Sequence, residues 1–278
     1  MLSFEKLTAF IVKPYAPEKI KMKKSIKSKV RKKLGLLRSV AMYYWKPFNH
    51  RRLTGFYRQF VCQGDLCYDI GAHLGNRTAA WRALGARVIS VEPQPQCLAY
   101  LRNKFGKDPD VHILPRAVGA EPGKAMLYIS QLTPTISTLS GAQWQKKMNN
   151  ATSFEVYWDE TVEVEVVTLD QLIETHGMPD FCKIDVEDFE WQVLQGLSHA
   201  LPCLSLEYFI PTLDRIFDCI DRLEELGNYA YNWSFGESQV LNSEEWLGPE
   251  SLKKILKNYT DQDRSGDIYA RLIKKDAP

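Results

Sequence analysis

Apolar runs alternate with helix-like segments through the middle of this 278-residue chain. The first run, Asp65 to Ile70, is bounded by glycines and is followed by an amphipathic segment from Asn76 to Leu84. The next run, Ala86 to Val91, precedes a segment from Pro95 to Phe105 whose apolar residues share one helical face. Strand, helix, strand and helix in this order predict a parallel sheet.

The pattern continues toward the C-terminus. Thr161 to Val167 alternates apolar and polar residues, which predicts a strand with one wet face, paired with Lys124 to Ser130. The stretch from Gln131 to Glu160 is too long for a plain connector, and such loops are usually functional or disordered. Further strands are expected over 111–114, 180–186, 203–208, 229–233 and 267–273, and helices over 170–176, 189–197 and from 213. Together these elements predict an α/β fold with a mostly parallel sheet and helices on both faces.

Charge is distributed unevenly along the chain. Residues 1–60 contain sixteen lysines and arginines against two acids, a net charge of +14, while the whole chain carries +2. The densest part, Lys19 to Lys33, has nine basic residues in fifteen and no acid. Met22, Ile26, Val30 and Leu34 recur every four residues. A helix in this block would therefore be amphipathic with a strongly basic face.

We therefore interpret residues 1–60 as a basic, helical extension and residues 61–278 as the main domain. A basic amphipathic helix suits an anionic membrane surface or nucleic acid, and the membrane is the preferred partner. A solvated arm is the alternative. The chain has neither an apolar run near the roughly eighteen residues that span a bilayer nor a signal peptide. A cytoplasmic location is expected, with peripheral attachment at the inner membrane face as a further option.

One short run and one distant acid carry the clearest chemical signal: Asp69-Ile70-Gly71-Ala72-His73-Leu74-Gly75, and Glu92 at the end of the next strand. Ligands of open α/β sheets bind at the carboxyl ends of strands, where an acid after the second strand suits ribose hydroxyls. The third glycine of the dinucleotide fingerprint, which helps to cradle a pyrophosphate, is missing. An acid beside the turn suits a positively charged ligand, so S-adenosylmethionine is preferred over NAD.

The residues of this turn also have structural interpretations. Gly71 and Gly75 allow a sharp turn with or without a ligand. Asp69 either faces the cationic part of the cofactor or caps the following helix. His73 contacts the cofactor, takes a proton from a substrate hydroxyl, or faces solvent. The residues of this region predicted to bind the cofactor are Asp69, Gly71, Ala72, His73, Gly75 and Glu92.

Acids also end two later strands. Asp185 and Glu187 follow one apolar run, and Glu207 ends the neighbouring strand. If these carboxylates converge, they orient or deprotonate a hydroxyl, or hold a hard divalent cation. Helix capping and surface exposure are the alternatives, and no metal site is assigned. Glu207 and Trp144 are the candidates for substrate contact, although core packing is the commoner role of a tryptophan.

The chain resembles the FkbM family of S-adenosylmethionine-dependent methyltransferases in four segments, which read GDLCYDIGAHLGNRT, ALGARVISVEPQPQ, PRAVG and VEVVTLDQLIETHGMPDFCKIDVEDFEWQVLQGL. The resemblance runs from about Arg51 to Leu272. It implies a Rossmann-like class I methyltransferase fold and O-methylation of sugar or natural-product hydroxyls. It also implies that Asp185 and Glu187 are active-site acids. The residues it places near the adenine are Arg116, Ala117 and Val118.

Two features depart from the family pattern. Asp188 follows the IDVE run where the family usually has glycine, which adds charge and removes a permissive backbone position. The basic block Lys19 to Lys33 lies outside the shared region.

We expect an O-methyltransferase that uses S-adenosylmethionine, with a sugar hydroxyl of a glycan, glycolipid or natural product as the preferred acceptor. Asp185 or Glu187 would accept or orient the proton, with His73 as the fallback base. One alternative is an RNA methyltransferase whose basic arm contacts phosphates. The other is a non-catalytic module that docks on anionic membranes and retains the fold as a scaffold.

Overall fold

The computed structural model describes residues 24–44, 48–141, 158–260 and 265–273. Its strands are β1 (Leu66–Ile70), β2 (Arg87–Val91), β3 (Val111–Leu114), β4 (Ala117–Val118), β5 (Gly123–Ile129), β6 (Glu160–Val167), β7 (Phe181–Ile184), β8 (Cys203–Tyr208), β9 (Tyr229–Phe235) and β10 (Gly266–Leu272). Its helices are α1 (Lys24–Tyr44), α2 (Asn49–Tyr57), α3 (Asn76–Ala83), α4 (Pro95–Phe105), α5 (Leu169–His176), α6 (Glu190–Gln195), α7 (Leu213–Leu226) and α8 (Pro249–Leu256). Two short 3-10 turns cover Pro134–Ile136 and Ile210–Thr212.

A seven-stranded sheet forms the centre of the molecule, in the order β3-β2-β1-β7-β8-β10-β9. Strands β3, β2, β1, β7 and β8 pair in parallel, while β10 is antiparallel to both β8 and β9. The prediction of a mostly parallel sheet is confirmed. Its first strands, helices and turn follow the predicted order because each strand is short, apolar and separated from the next by an amphipathic helix.

The central strands are buried on both faces of this sheet. In β1, Tyr68 and Ile70 belong to a core that includes residues of α5, α6, α7 and α8. Cys67, the residue before Tyr68, joins a separate cluster with residues of α2 and α3. Because successive side chains of a strand point to opposite faces, the two clusters occupy the two sides of the sheet. Helices therefore cover both faces, as predicted.

A second, smaller sheet has the order β4-β6-β5. Strand β6 pairs antiparallel with β5, with Ala125 opposite Val164 and Leu127 opposite Val162, so the predicted pairing of these two segments is confirmed. The long loop between them is described only in part, because residues 142–157, including Trp144, lie outside the described residues. The prediction for Trp144 stays a prediction.

Helix α1 contains the described part of the basic block, whereas residues 19–23 lie outside the described residues. It lies on the 3-10 turn Pro134–Ile136, and Gly35 makes this approach possible: a Cβ there would stand 2.1 Å from the carbonyl oxygen of Gln131. At its other end Tyr44 donates a hydrogen bond to the Leu74 carbonyl, 2.8 Å away. Within the described ranges, no helix has the length and apolar character to cross a bilayer.

Helix α2 packs into the molecule rather than beside it. Leu53, Phe56 and Tyr57 are buried in one cluster with Trp81 of α3 and Phe181 of β7. Tyr57 meets Trp81 edge to face with ring centroids 5.3 Å apart, a preferred geometry for aromatic pairs. The sequence predicted a domain boundary after residue 60. Because α2 packs with residues of the predicted main domain, this boundary needs an experimental test. Helix α8 was not predicted from the sequence.

Candidate active site

A cleft of about 860 Å³, partly open to solvent, lies at the carboxyl ends of β1, β2, β7 and β8. This is the edge at which open α/β sheets bind ligands. We call it the first cleft. The predicted site residues that line it are Gly71, His73, Glu92, Arg116, Ala117, Val118, Asp185, Glu187 and Glu207.

The two glycines of the turn after β1 have different roles in the structure. Gly71 has φ +82°, and a Cβ there would stand 1.9 Å from the backbone oxygen of Asp185, so the turn requires glycine where β1 meets β7. Gly75 has φ +71°, and a Cβ there would collide with Phe105 and Leu101 of α4. Gly75 therefore permits close packing of α4, and neither it nor Ala72 is among the residues that line the first cleft.

Asp69 lies beneath the turn rather than in the first cleft. Its Oδ2 accepts hydrogen bonds from the backbone N of Thr78 at 3.1 Å and from the Thr78 hydroxyl at 2.6 Å. Burial raises the pKa of Asp69, and these two bonds oppose the shift. In this geometry Asp69 fixes the first turn of α3. Its contact with the cofactor stays a prediction.

Glu92 ends the segment after β2 with its carboxylate held in place. Oε2 accepts from the backbone N of His73 and Oε1 from that of Gln94, both at 2.7 Å. Burial raises the pKa of Glu92 to about 7 despite these bonds. Beside it, the buried Nε2 of Gln94 has no hydrogen-bond partner among the described residues, and Gln94 lines the first cleft. A carboxylate acceptor beside an unsatisfied amide donor fits the hydroxyls and ring nitrogens of a nucleoside.

His73 lies in the first cleft on a backbone with φ +49°. Burial lowers the pKa of His73 to about 4, although the nearby Asp185 opposes the shift. The imidazole is therefore neutral at pH 7. A conjugate acid this strong makes His73 a weak general base, which favours the carboxylates for that role.

The three predicted strand-end acids converge. One carboxylate oxygen from each of Asp185, Glu187 and Glu207 lies within 4.8 Å of the others. Burial raises the pKa of Glu187 and of Glu207 well above the ordinary range, and the charge of Asp185 raises both further. Like charges this close cannot all ionise, so the cluster holds protons or a cation at neutral pH.

Asp185 keeps its charge because two buried cations oppose the effect of burial. Burial alone would raise the pKa of Asp185, but Lys183 and Arg77 outweigh it and the net pKa is lowered. The Nζ of Lys183 lies 3.2 Å from Asp185 and 2.8 Å from Asp267 of β10, and Arg77 pairs with Glu237 at 3.0 Å. Sequence reasoning missed Asp267 and Arg77. A lysine inside a fully buried strand was the available signal, because buried lysines need a partner.

The turn after Asp185 is strained and held from outside. Glu187 has φ +55° and Asp188 has φ +70°, a region that favours glycine and costs other residues roughly 1–3 kcal/mol each. The Asp188 carboxylate pairs with Arg215 of α7 at 2.8 Å. From the long loop, the hydroxyls of Thr138 and Ser140 donate to the backbone oxygens of Glu187 and Asp188. Asp188 thus adopts a backbone conformation that favours glycine and adds an ion pair.

A second cleft, of about 780 Å³ and also partly open, adjoins the first. Glu187 and Glu207 line both clefts, so these two acids stand between them. The second cleft is also lined by the aromatic residues Trp191, Tyr208 and Phe209 and by one cation, Arg215. Aromatic faces beside carboxylates are suited to a hydroxyl-rich ring.

The sheet order and the cleft at the carboxyl ends of its parallel strands are those of the Rossmann-like class I methyltransferase fold. The sequence profile of the methyltransferase FkbM domain matches residues 69–221, more than half of the chain. The chain therefore belongs to the FkbM methyltransferase family, whose members use S-adenosylmethionine. No curated protein sequence matches it.

Several solved structures are similar to the chain at low sequence identity. The precorrin-6y C5,15-methyltransferase of Geobacter metallireducens is 13% identical, with a TM-score of 0.43 over 81% of this chain and 86% of that one. A TehB-like SAM-dependent methyltransferase of Corynebacterium glutamicum is 12% identical, with a TM-score of 0.42 over 90% and 100%. Fibrillarin of Aeropyrum pernix, solved with bound S-adenosyl-L-methionine, is 12% identical, with a TM-score of 0.38 over 76% and 68%. Scores this low carry no argument about the acceptor.

Proposed function

We propose that the protein transfers a methyl group from S-adenosylmethionine to a hydroxyl oxygen of a saccharide. The observation that carries this proposal is the position of Glu187 and Glu207 between two adjoining clefts, beside the ionised Asp185. The first cleft fits a nucleoside-bearing cofactor and the second an acceptor. Reacting groups from the two clefts would then meet at the acids.

The cofactor, when bound, supplies an electrophilic methyl group on a sulfonium ion. Glu92 would accept hydrogen bonds from the ribose hydroxyls, and Gln94 would donate from its unsatisfied amide. Arg116, Ala117 and Val118, in the wall of the first cleft, would surround the adenine. The negative charge of Asp185 would favour the cationic end of the same ligand.

The acids would manage the proton of the acceptor. When an acceptor hydroxyl takes up the methyl group, its proton would pass to one of these carboxylates. Asp185 is ionised and can accept it, while Glu207 in its protonated form donates a hydrogen bond to Asp185. Holding the hydroxyl in line with the methyl group is the larger contribution, since positioning supplies roughly 7–11 kcal/mol in favourable cases.

The charge of the second cleft supports a saccharide over RNA. The acids Glu187, Asp188, Glu190 and Glu207 line it, and its one described cation, Arg215, is already paired with Asp188. Phosphate contacts to nucleic acid are made by lysine and arginine, and the described lining of this cleft has no further cation to make them. Neutral hydroxyls, in contrast, hydrogen-bond to carboxylates without a charge penalty.

The test of this function uses Asp185→Asn and measures cofactor binding and turnover separately. We expect the variant still to bind S-adenosylmethionine, but more weakly, because the charge of Asp185 no longer attracts the cationic end of the cofactor. At saturating cofactor, methyl transfer to saccharide acceptors should fall about 10²- to 10⁴-fold. The exposed Asp218→Asn on α7 is the matched control and should retain activity. The assay is run with Mg²⁺ and with a chelator, because three carboxylate oxygens are also ligands that a hard cation prefers.

Three outcomes would count against the proposal. Full activity of Asp185→Asn would remove this residue from the reaction. Thermal stabilisation by NAD but not by S-adenosylmethionine or S-adenosylhomocysteine would overturn the cofactor. Transfer of labelled methyl groups into RNA, but not into glycans, would replace the saccharide by the alternative acceptor.

A further inference from the structure

Helix α1 carries an apolar stripe that faces solvent. Val30, Leu34 and Leu37 are 52%, 48% and 58% exposed. Their spacing of four and three residues places them on one side of the helix. Isolated exposed aliphatic residues are common, but a row of three on one helix face exposes a continuous apolar surface. The described part of the protein leaves this surface uncovered.

The opposite side of α1 is fixed to the domain. Gly35 and Ser39 are buried there, with Gly35 against the backbone of Gln131. Arg31 pairs with Asp159 at 3.0 Å, and Lys32 pairs with Glu160 at 2.5 Å. These contacts set the rotation of the helix about its axis, so the apolar stripe points away from the body of the protein.

The surroundings of the stripe are basic. Lys33 is exposed beside it, and the paired Arg31 remains half exposed. The helix includes no acid, and the basic block continues in the sequence back to Lys19. Residues 1–60 as a whole carry +14, whereas the rest of the chain carries a net negative charge. An anionic partner is therefore attracted to this end of the molecule and repelled by the remainder.

We propose that the face Val30–Leu34–Leu37 inserts into the headgroup region of an anionic lipid bilayer. An apolar stripe with flanking cations is the pattern of helices that lie in a membrane interface. RNA would be contacted by the cations alone and would gain nothing from three exposed aliphatic side chains. A second copy of the chain would bring two strongly basic helices together, which like charges oppose. The proposal goes beyond the methyl transfer and does not depend on it.

The position of α1 gives this surface a relation to the clefts. The helix lies on the turn Pro134–Ile136, and Pro134 lines the first cleft. Its end reaches the glycine turn through the hydrogen bond from Tyr44 to Leu74. Docking through the stripe would therefore bring the lipid surface near the wall of the first cleft.

The test is flotation of the full chain with lipid vesicles. We expect it to float with vesicles that contain about 30 mol% phosphatidylglycerol and to remain behind with pure phosphatidylcholine. The double variant Leu34→Ser, Leu37→Ser should reduce partitioning at least about tenfold, because two leucines no longer enter the interface. The matched control is Met126→Ser, Val240→Ser, which removes side chains that are 45% and 62% exposed elsewhere on the surface.

Four results would overturn the proposal. The first is equal flotation of wild type and the Leu34, Leu37 variant. The second is equal binding of the wild type to neutral and anionic vesicles. The third is binding to RNA, lost in the variant, by a wild type that does not bind vesicles. The fourth is a dimer in light scattering that the variant converts to a monomer. Thermal stabilisation by S-adenosylmethionine would show that the variant is folded. Flotation is measured without turnover, so failure of the membrane proposal would leave the proposed methyl transfer untouched.

Discussion

Glu92 shows how one residue can combine a fixed position with an adjustable charge. Its two oxygens are held by backbone amides of His73 and Gln94, so the carboxylate cannot turn away from the first cleft. Burial brings its pKa to about 7, close to the pH of the cell. Small changes in its surroundings therefore decide whether it carries a charge.

Cofactor binding should consequently depend on pH. Ribose hydroxyls donate hydrogen bonds to the ionised carboxylate, so the complex favours the charged form of Glu92. At a pH where Glu92 of the free protein is protonated, binding therefore releases a proton. We expect the dissociation constant to be flat above about pH 7 and to rise up to tenfold per unit below it. Calorimetry with S-adenosylhomocysteine, which has the ribose but not the sulfonium, isolates Glu92 from Asp185. A constant affinity between about pH 6 and pH 8 would contradict this role.

Residues at strand ends were predictable, whereas their charge partners were not. Asp185, Glu187 and Glu207 could be placed together because parallel neighbouring strands end at the same edge of a sheet. The partner of Lys183 could not be predicted. Asp267 reaches Lys183 only because β10 pairs antiparallel with β8, and local periodicity does not reveal which strands pair. For Asp69 the sequence left two roles open, cofactor contact and helix capping. Its hydrogen bonds to Thr78, nine residues later and across a turn, determine its position.

At the scale of elements, α1 joins two parts of the cleft wall that are distant in sequence. It contacts the segment after β5 through Gly35 and the glycine turn after β1 through Tyr44. The amphipathic spacing predicted this helix, but not the face by which it attaches. A glycine inside a helix is a weak signal in isolation, and here it marks the point of closest approach.

The two helical glycines outside the clefts form a matched pair for testing this attachment. A Cβ at Gly35 would meet the oxygen of Gln131 at 2.1 Å, whereas at Gly55 of α2 it would meet nothing within 4 Å. Gly55→Ala should therefore stabilise the protein by about 0.5–1 kcal/mol through helix propensity. Gly35→Ala should instead destabilise it by about 1–3 kcal/mol through overpacking. Denaturant unfolding measures both, and hydrogen exchange should rise in segment 131–139 for Gly35→Ala alone. Equal effects of the two variants would contradict the close contact.

At the scale of the whole molecule, the aromatic cluster makes α2 part of the core. Leu53, Phe56 and Tyr57 lie under the face of the sheet that carries α3. Composition predicted a division after residue 60, because the charge changes sign near there. Charge describes the surface, however, and core packing is what defines a folding unit. We propose that the unit begins at α2.

Two truncations test this boundary. A chain of residues 48–278 should fold cooperatively and bind S-adenosylmethionine, while 61–278 should not. Each buried side chain of α2 contributes roughly 1.5–3 kcal/mol, so removing three costs about 5–9 kcal/mol, which is comparable with the whole stability of a domain. Thermal unfolding with and without the cofactor gives the answer. A cooperative transition in 61–278 would restore the division after residue 60.

The insertion of β10 between β8 and β9 has a consequence for the nascent chain. Both neighbours are synthesised before it, so each exposes an open edge to the chaperones and to other unfolded chains until β10 arrives. During that interval Lys183, whose charge helps to keep Asp185 ionised, lacks its second partner, Asp267. The central strands β1 and β7 must also find each other across more than a hundred residues, a slow search. Catalytic competence is therefore acquired late, after the last strand of the sheet has closed.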